Sequence, residues 1–92
     1  MSKSVEELTV NWEQDGVLLV KELDKVILSK GAWATLIFKH QDLDRKTGEY
    51  GPPKFSIRRY RKISGAYVQQ NKFVISSEKQ AAEIRDALNG WL

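Results

Sequence analysis

The residue types best suited to chemistry are concentrated in Lys54-Phe55-Ser56-Ile57-Arg58-Arg59-Tyr60-Arg61-Lys62. At the two-residue period of a strand, Phe55 and Ile57 share one face, while Lys54, Ser56, Arg58, Tyr60 and Lys62 share the other. The first face suits a core. The second carries three cations and a ring at positions repeating about every 6–7 Å, close to the nucleotide spacing of an extended single strand. Cations there would neutralise phosphates and release counterions, and Tyr60 would stack on a base of any identity. Arg59 and Arg61 have the parity of Phe55 and Ile57. They are expected to snorkel at a sheet edge or to pair with acids of the N-terminal segment. The competing reading is a solvated edge strand, charged to prevent edge-to-edge aggregation.

The charge distribution sharpens this. Residues 30–77 hold ten Lys/Arg against Asp42, Asp44 and Glu49, a net of +7, while residues 1–29 sum to −3 and residues 78–92 to −1. Between Tyr50 and Ser77 there is no acid at all. A one-signed run that also carries aromatic residues points to a phosphate-bearing partner.

Enzyme chemistry finds little support. His40 is the sole imidazole, cysteine is absent, and nothing in the sequence marks a serine as a partner for His40. A lone His ending an apolar strand reads as a surface residue. Asp42, Asp44 and Glu49 lack the ligand spacing of a calcium loop, and Arg45 and Lys46 oppose a cation. No phosphate-cradling glycine loop occurs. No enzyme, metal, cofactor or small-molecule substrate is expected.

The elements that must position these residues can be read in order. Ninety-two residues, 41% apolar and 29% charged, make one domain, residues 1–92. Residues 1–7 read as a frayed, flexible start. Leu8-Thr9-Val10-Asn11-Trp12 alternates as a half-buried strand, and Asp15-Gly16 turns it into a second strand from Val17, with a bend near Asp24. Helix is the alternative over 17–28, disfavoured by the β-branched content. Residues 32–40 form an apolar central strand, with residues 41–53 a long loop broken by glycine and paired proline. Strands over 54–62 and 66–76 follow, joined at Ile63-Ser64-Gly65, with a bulge or bend at Gln69-Gln70-Asn71. Ser77 and Gln80 form a capping box for a helix over 77–91 that Gly90 ends. Ala81, Ile84, Leu88 and Trp91 make its apolar stripe. Trp33, Tyr67 and Phe73 suit the core better than a stacking platform. The result is an α+β domain: an antiparallel sheet of five strands covered on one face by one C-terminal helix. One helix cannot cover such a sheet: either another copy of the chain covers the remainder, or the sheet curves and leaves one face wet. A domain this small without disulfides or metal gains from association. No apolar run approaches the roughly 18 residues of a membrane span, and no signal peptide is evident, so a cytosolic (cytoplasmic) or nuclear protein is expected.

Set in order, Pro53-Lys54-Phe55-Ser56-Ile57-Arg58-Arg59-Tyr60 and Lys72-Phe73-Val74-Ile75-Ser76-Ser77-Glu78 resemble the positive-cofactor-four family of transcriptional coactivators and its small bacterial members. Lys21 to Ser29 and the Trp33 strand resemble that family's first two strands. Phe73 stands where the family has Gly, and Ser56 where it often has Asp. A second register, with Lys54-Phe55-Ser56-Ile57 in the last-strand role, fits the same short motifs. The resemblance implies a four-stranded curved sheet with a C-terminal helix, a helix-mediated homodimer and binding of single-stranded DNA across the strands. With it, the expected fold is α+β, a curved antiparallel sheet of four to five strands and one C-terminal helix. Residues 8–12 would be an addition. The expected function is low-specificity binding of single-stranded nucleic acid, DNA or RNA, tied to transcription or repair. The alternative is a protein-interaction module docking an acidic partner. The candidate binding residues are Lys39, Lys54, Arg58, Tyr60, Lys62 and Lys72, with Trp33 and Tyr67 as stacking rings. Ala81, Ile84, Leu88 and Trp91 are the candidate dimer interface.

Overall fold

Two tight turns set the registers from which the sheet is built. Asp15 and Gly16 both adopt positive φ (53° and 78°), as do Ser64 and Gly65 (51° and 82°). Each pair is a two-residue hairpin loop whose left-handed residues match the twist of the flanking strands. In the computed structural model, which describes residues 4–92, the strands are β1 Trp12–Gln14, β2 Val17–Ser29, β3 Trp33–Asp44, β4 Glu49–Tyr50, β5 Lys54–Ile63 and β6 Ala66–Ile75. Helix α1 spans Glu78–Trp91. The curled antiparallel sheet runs β1-β2-β3-β5-β6, with β4 paired onto the end of β3. This is the α+β class expected from the sequence, with six strands rather than four or five. Register shifts at Glu22/Asp24 and opposite Arg59/Tyr60 supply the expected bend near Asp24 and the bulge at Gln69–Asn71.

Several expectations are corrected. The expected loop over 41–53 is in part strand: β3 continues to Asp44, Leu43 pairs with Tyr50, and Asp44 pairs with Glu49. Gly48 at φ 75° closes the turn, and Tyr50 Oη donates to Leu18 O at 2.7 Å, anchoring the extension to β2. Glycine and proline punctuate this segment without abolishing its pairing. Gly90 does not end the helix, which continues to Trp91. Ser77 caps it by accepting from Gln80 N at 3.1 Å, while the Gln80 side chain accepts from Ser76 N rather than from the cap.

The largest correction concerns the N-terminal segment. Residues 1–3 of the expected frayed start lie outside the described residues, but from Ser4 onward the chain is ordered. Val5–Glu7 form a 3-10 turn, and Val5, Leu8 and Val10 are buried. Residues 8–11 are not strand. They lie across one face of the sheet, where Lys25 Nζ donates to Glu6 O and Leu8 O (2.6 and 2.7 Å) and Glu22 N donates to Asn11 Oδ1 at 2.7 Å. That face, the inner one, holds the core: Ala34, Leu36, Phe38, Tyr60 and Tyr67 under the arm, with Val20 and Ile27 packed against them.

The outer face is incompletely covered. Helix α1 packs most closely on β6 and leaves an open cleft of about 550 Å³ lined by Leu28, Ile37, Phe55, Ile57, Ile84 and Leu88. Phe73 and Leu28 are over half exposed, and Trp91 at 83% lies almost entirely outside the packing. No helix among the described residues is long and apolar enough to cross a membrane.

Because Leu8 is the arm's largest buried side chain, Leu8→Ala is expected to cost about 2–4 kcal/mol. Urea unfolding measures it; a change under about 0.5 kcal/mol would mean that the arm does not form part of the core.

Candidate nucleic-acid interface

The strand that carries the cations is central, not an edge: β5 lies between β3 and β6. Protection of an exposed edge therefore does not explain its charges. Its two faces are, however, the reverse of the sequence expectation. Ser56 is fully buried and Tyr60 only 5% exposed, both on the inner face, whereas Phe55 and Ile57 lie half-buried on the outer one. The reason is the arm, which converts the alternate face of β5 into core. Tyr60 and Tyr67 are consequently packed rings. Burial raises the Tyr60 phenol above its ordinary pKa, against the nearby Arg58 guanidinium. Tyr67 Oη donates to Gly31 O at 2.7 Å. Neither ring is free to stack on a base.

The inner face stays open beside the arm. Thr9, Asn11, Trp12, Arg58, Gln69 and Lys72 line a groove of about 390 Å³ there. Arg58 and Lys72 are directly opposite one another on β5 and β6. Like charges so placed repel, and among the described residues no carboxylate lies within ion-pair distance of either. Arg58 Nη1 donates to Gln69 Oε1 at 2.9 Å, and Arg58 Nε is buried without an acceptor. Trp12, 59% exposed, supplies an available ring. The Glu22 carboxylate, on β2, accepts from Thr9 Oγ1 at 2.7 Å. The groove can thus hold an anionic oxygen between two cations with an indole alongside.

The other predicted residues are distributed around this groove rather than gathered in it. Lys62 stands at its far end, its Nζ 5.7 Å from the Tyr67 ring. Lys54 lies at the opposite end and is bound to Asp42 at 2.9 Å. Lys39 and Trp33 are on the outer face: Lys39 pairs with Asp24 and Phe55, and Trp33 pairs with Arg61. Trp33 and Phe73 are 42% and 54% exposed, so neither is core. Arg59 and Arg61 do not reach acids of the N-terminal segment. Their guanidinium carbons lie 4.5 and 5.5 Å from the Trp33 ring centroid. Trp12 and Gln69 were missed. The Arg58–Lys72 opposition was within reach of sequence reasoning, because counting back from the Ser64-Gly65 turn with one bulged residue pairs them. Trp12 had no comparable signal, since its place depends on how the arm folds back.

His40 is also corrected: it is buried, not a surface residue. Its Nε2 is 2.7 Å from Ser56 Oγ, and its Nδ1 is 3.6 Å from Asp42 Oδ1. The order Ser-His-Asp resembles a nucleophilic triad, but Ser56 has no exposed surface through which to meet a substrate. Among the described residues no three His, Cys, Asp or Glu side chains converge to hold a metal.

Comparison with known proteins adds no constraint: the chain matches no family model, and no curated protein or solved structure is significantly similar to it.

Burial lowers the His40 pKa, with Arg58 and Lys54 adding to the effect and Asp42 opposing it. The unfolded imidazole, near pH 6.5, then binds its proton before the folded one does. Stability is full above that pH and declines as pH falls from about 6.5 toward the folded value, by at most about 1.4 kcal/mol per pH unit. Urea unfolding between pH 7.5 and 5.5 should show the decline, and His40→Gln should flatten it. An unchanged slope in the variant would assign the effect elsewhere.

Proposed function

We propose that the protein binds single-stranded nucleic acid with little sequence preference, in the inner groove, as a homodimer. The observation that carries this is the opposition of Arg58 and Lys72 beside the exposed Trp12 ring. Two facing cations without a carboxylate are stabilised by phosphate, and an indole next to them suits any base. The groove has one exposed ring, and its Asn11 and Gln69 amide oxygens are already taken by Glu22 N and Arg58, which favours contact with the backbone and a base face over sequence. Single strands suit it better than duplex, because in a duplex the base faces are already stacked.

Dimerisation rests on the outer face. Its cleft and the α1 stripe are two parts of one apolar surface, and a second copy brings to it the same Phe55, Ile57, Ile84 and Leu88 in isologous fashion. The chain has no cysteine and thus no disulfide as an alternative support. The resemblance to the coactivator family points to the same arrangement.

Fluorescence anisotropy with labelled dT, rU and duplex oligomers at two salt concentrations tests the binding. Single strands should bind more tightly than duplex, with affinity falling as salt rises. Arg58→Ala/Lys72→Ala should reduce the slope of log affinity on log salt by about 1.4, for two phosphates. Trp12→Ala should weaken binding by about 1–3 kcal/mol. Equal affinity for duplex, or indifference to salt, removes the reading.

Sedimentation at micromolar concentration should give twice the 10.6 kDa chain mass, and Leu88→Asp, at a half-exposed position, should return the monomer with its fold intact. A monomeric unsubstituted chain would refute the dimer.

A further inference from the structure

The outer face carries a second cationic cluster that the groove does not use. Arg59 and Arg61 point outward from central strand β5, two residues and thus about 6–7 Å apart. Their guanidinium groups flank Trp33, at 4.5 and 5.5 Å from its ring centroid. All three side chains are exposed, and among the described residues no carboxylate lies within ion-pair distance of either arginine. Their cross-strand neighbours, Thr35 and Asn71 beside Arg59 and Trp33 and Val68 beside Arg61, carry no charge. Two like charges held this close on a central strand relieve no edge and neutralise no acid. The indole holds both guanidinium groups, so less rotamer freedom remains to be lost on capture of an oxyanion. Guanidinium forks match phosphate oxygens in pairs, and the separation of the two matches successive phosphates of an extended strand.

Resting on the groove reading above, we propose that Arg59 and Arg61, positioned by Trp33, form a second phosphate-backbone contact. A single strand leaving the inner groove passes the Ser64-Gly65 end of the sheet and continues onto the outer face. Lys62, exposed at that end and on the inner side, marks the route. The molecule is only 17 Å thick along its shortest axis, a distance that about three extended nucleotides cross. Trp33 is a positioning residue here, with its ring occupied by guanidinium groups rather than offered to a base.

The length of the oligomer separates the two contacts. A dT3 is long enough for the groove alone, whereas a dT30 reaches both faces. Arg59→Ala/Arg61→Ala should leave dT3 affinity unchanged, weaken dT30 about tenfold, and lower the dT30 salt slope by about 1.4. Arg59→Lys/Arg61→Lys should restore the slope but only part of the affinity, because lysine keeps charge without the fork. Equal losses for dT3 and dT30 would mean that the arginines act through the fold. Unchanged dT30 binding would overturn the outer contact while leaving the groove standing, and a change confined to sedimentation would assign the arginines to the contact between copies. If the unsubstituted chain binds neither oligomer, both readings fall together.

Discussion

The arm formed by residues 5–10 decides which face of the sheet is inside, and nearly everything else about the molecule follows from it. Burial of Val5, Leu8 and Val10 contributes about 5–9 kcal/mol at 1.5–3 kcal/mol per side chain. Ordering six backbone residues costs about 6–12 kcal/mol. The two nearly cancel, so the arm is held only with the help of its polar contacts. Lys25 is the main one: its ammonium bonds two arm carbonyls, and such charge-assisted bonds contribute about 1.5–3 kcal/mol each. The exposed Lys30–Glu6 pair adds little by comparison.

Once the arm is down, the alternation of β5 acquires its meaning. The face bearing Ser56 and Tyr60 becomes core near the arm and a cationic groove beyond it, where Arg58 meets Lys72. The opposite face is divided along the same strand, apolar at Phe55 and Ile57 and cationic at Arg59 and Arg61. A single strand of ten residues thus supplies core, groove, an apolar outer surface and an outer basic cluster. The chemistry of each position is set by parity and by what packs over it. The buried His40–Ser56 pair shows the same logic in miniature: a polar residue tolerated in the interior because another inward-pointing residue satisfies it.

Local physics made much of this legible beforehand. The two left-handed turns, the bulge in β6, the bend in β2, the Ser77 cap and the stripe of α1 are short-range features, each written in a few adjacent residues. The acid-free stretch from Tyr50 to Ser77 likewise exposed the cationic character of β5 and β6 directly. Reading the long loop over 41–53 as irregular failed because pairing of Leu43 with Tyr50 depends on a cross-strand partner and on the Tyr50 anchor to β2, neither visible in composition.

By itself the sequence determined the α+β class, the places of the two hairpin turns and the sign of the charge, because these depend on turn residues, periodicity and side-chain type. Only the tertiary structure decided which face of β5 is buried, and with it the fate of the predicted site. Tyr60 and Tyr67 went inside, while Trp12, remote in sequence, came to stand beside Arg58 and Lys72. Trp33 went to the outer face with Arg59 and Arg61. A two-residue period distinguishes two faces but cannot say which is covered. The covering arm lies more than forty residues away from the strand it covers.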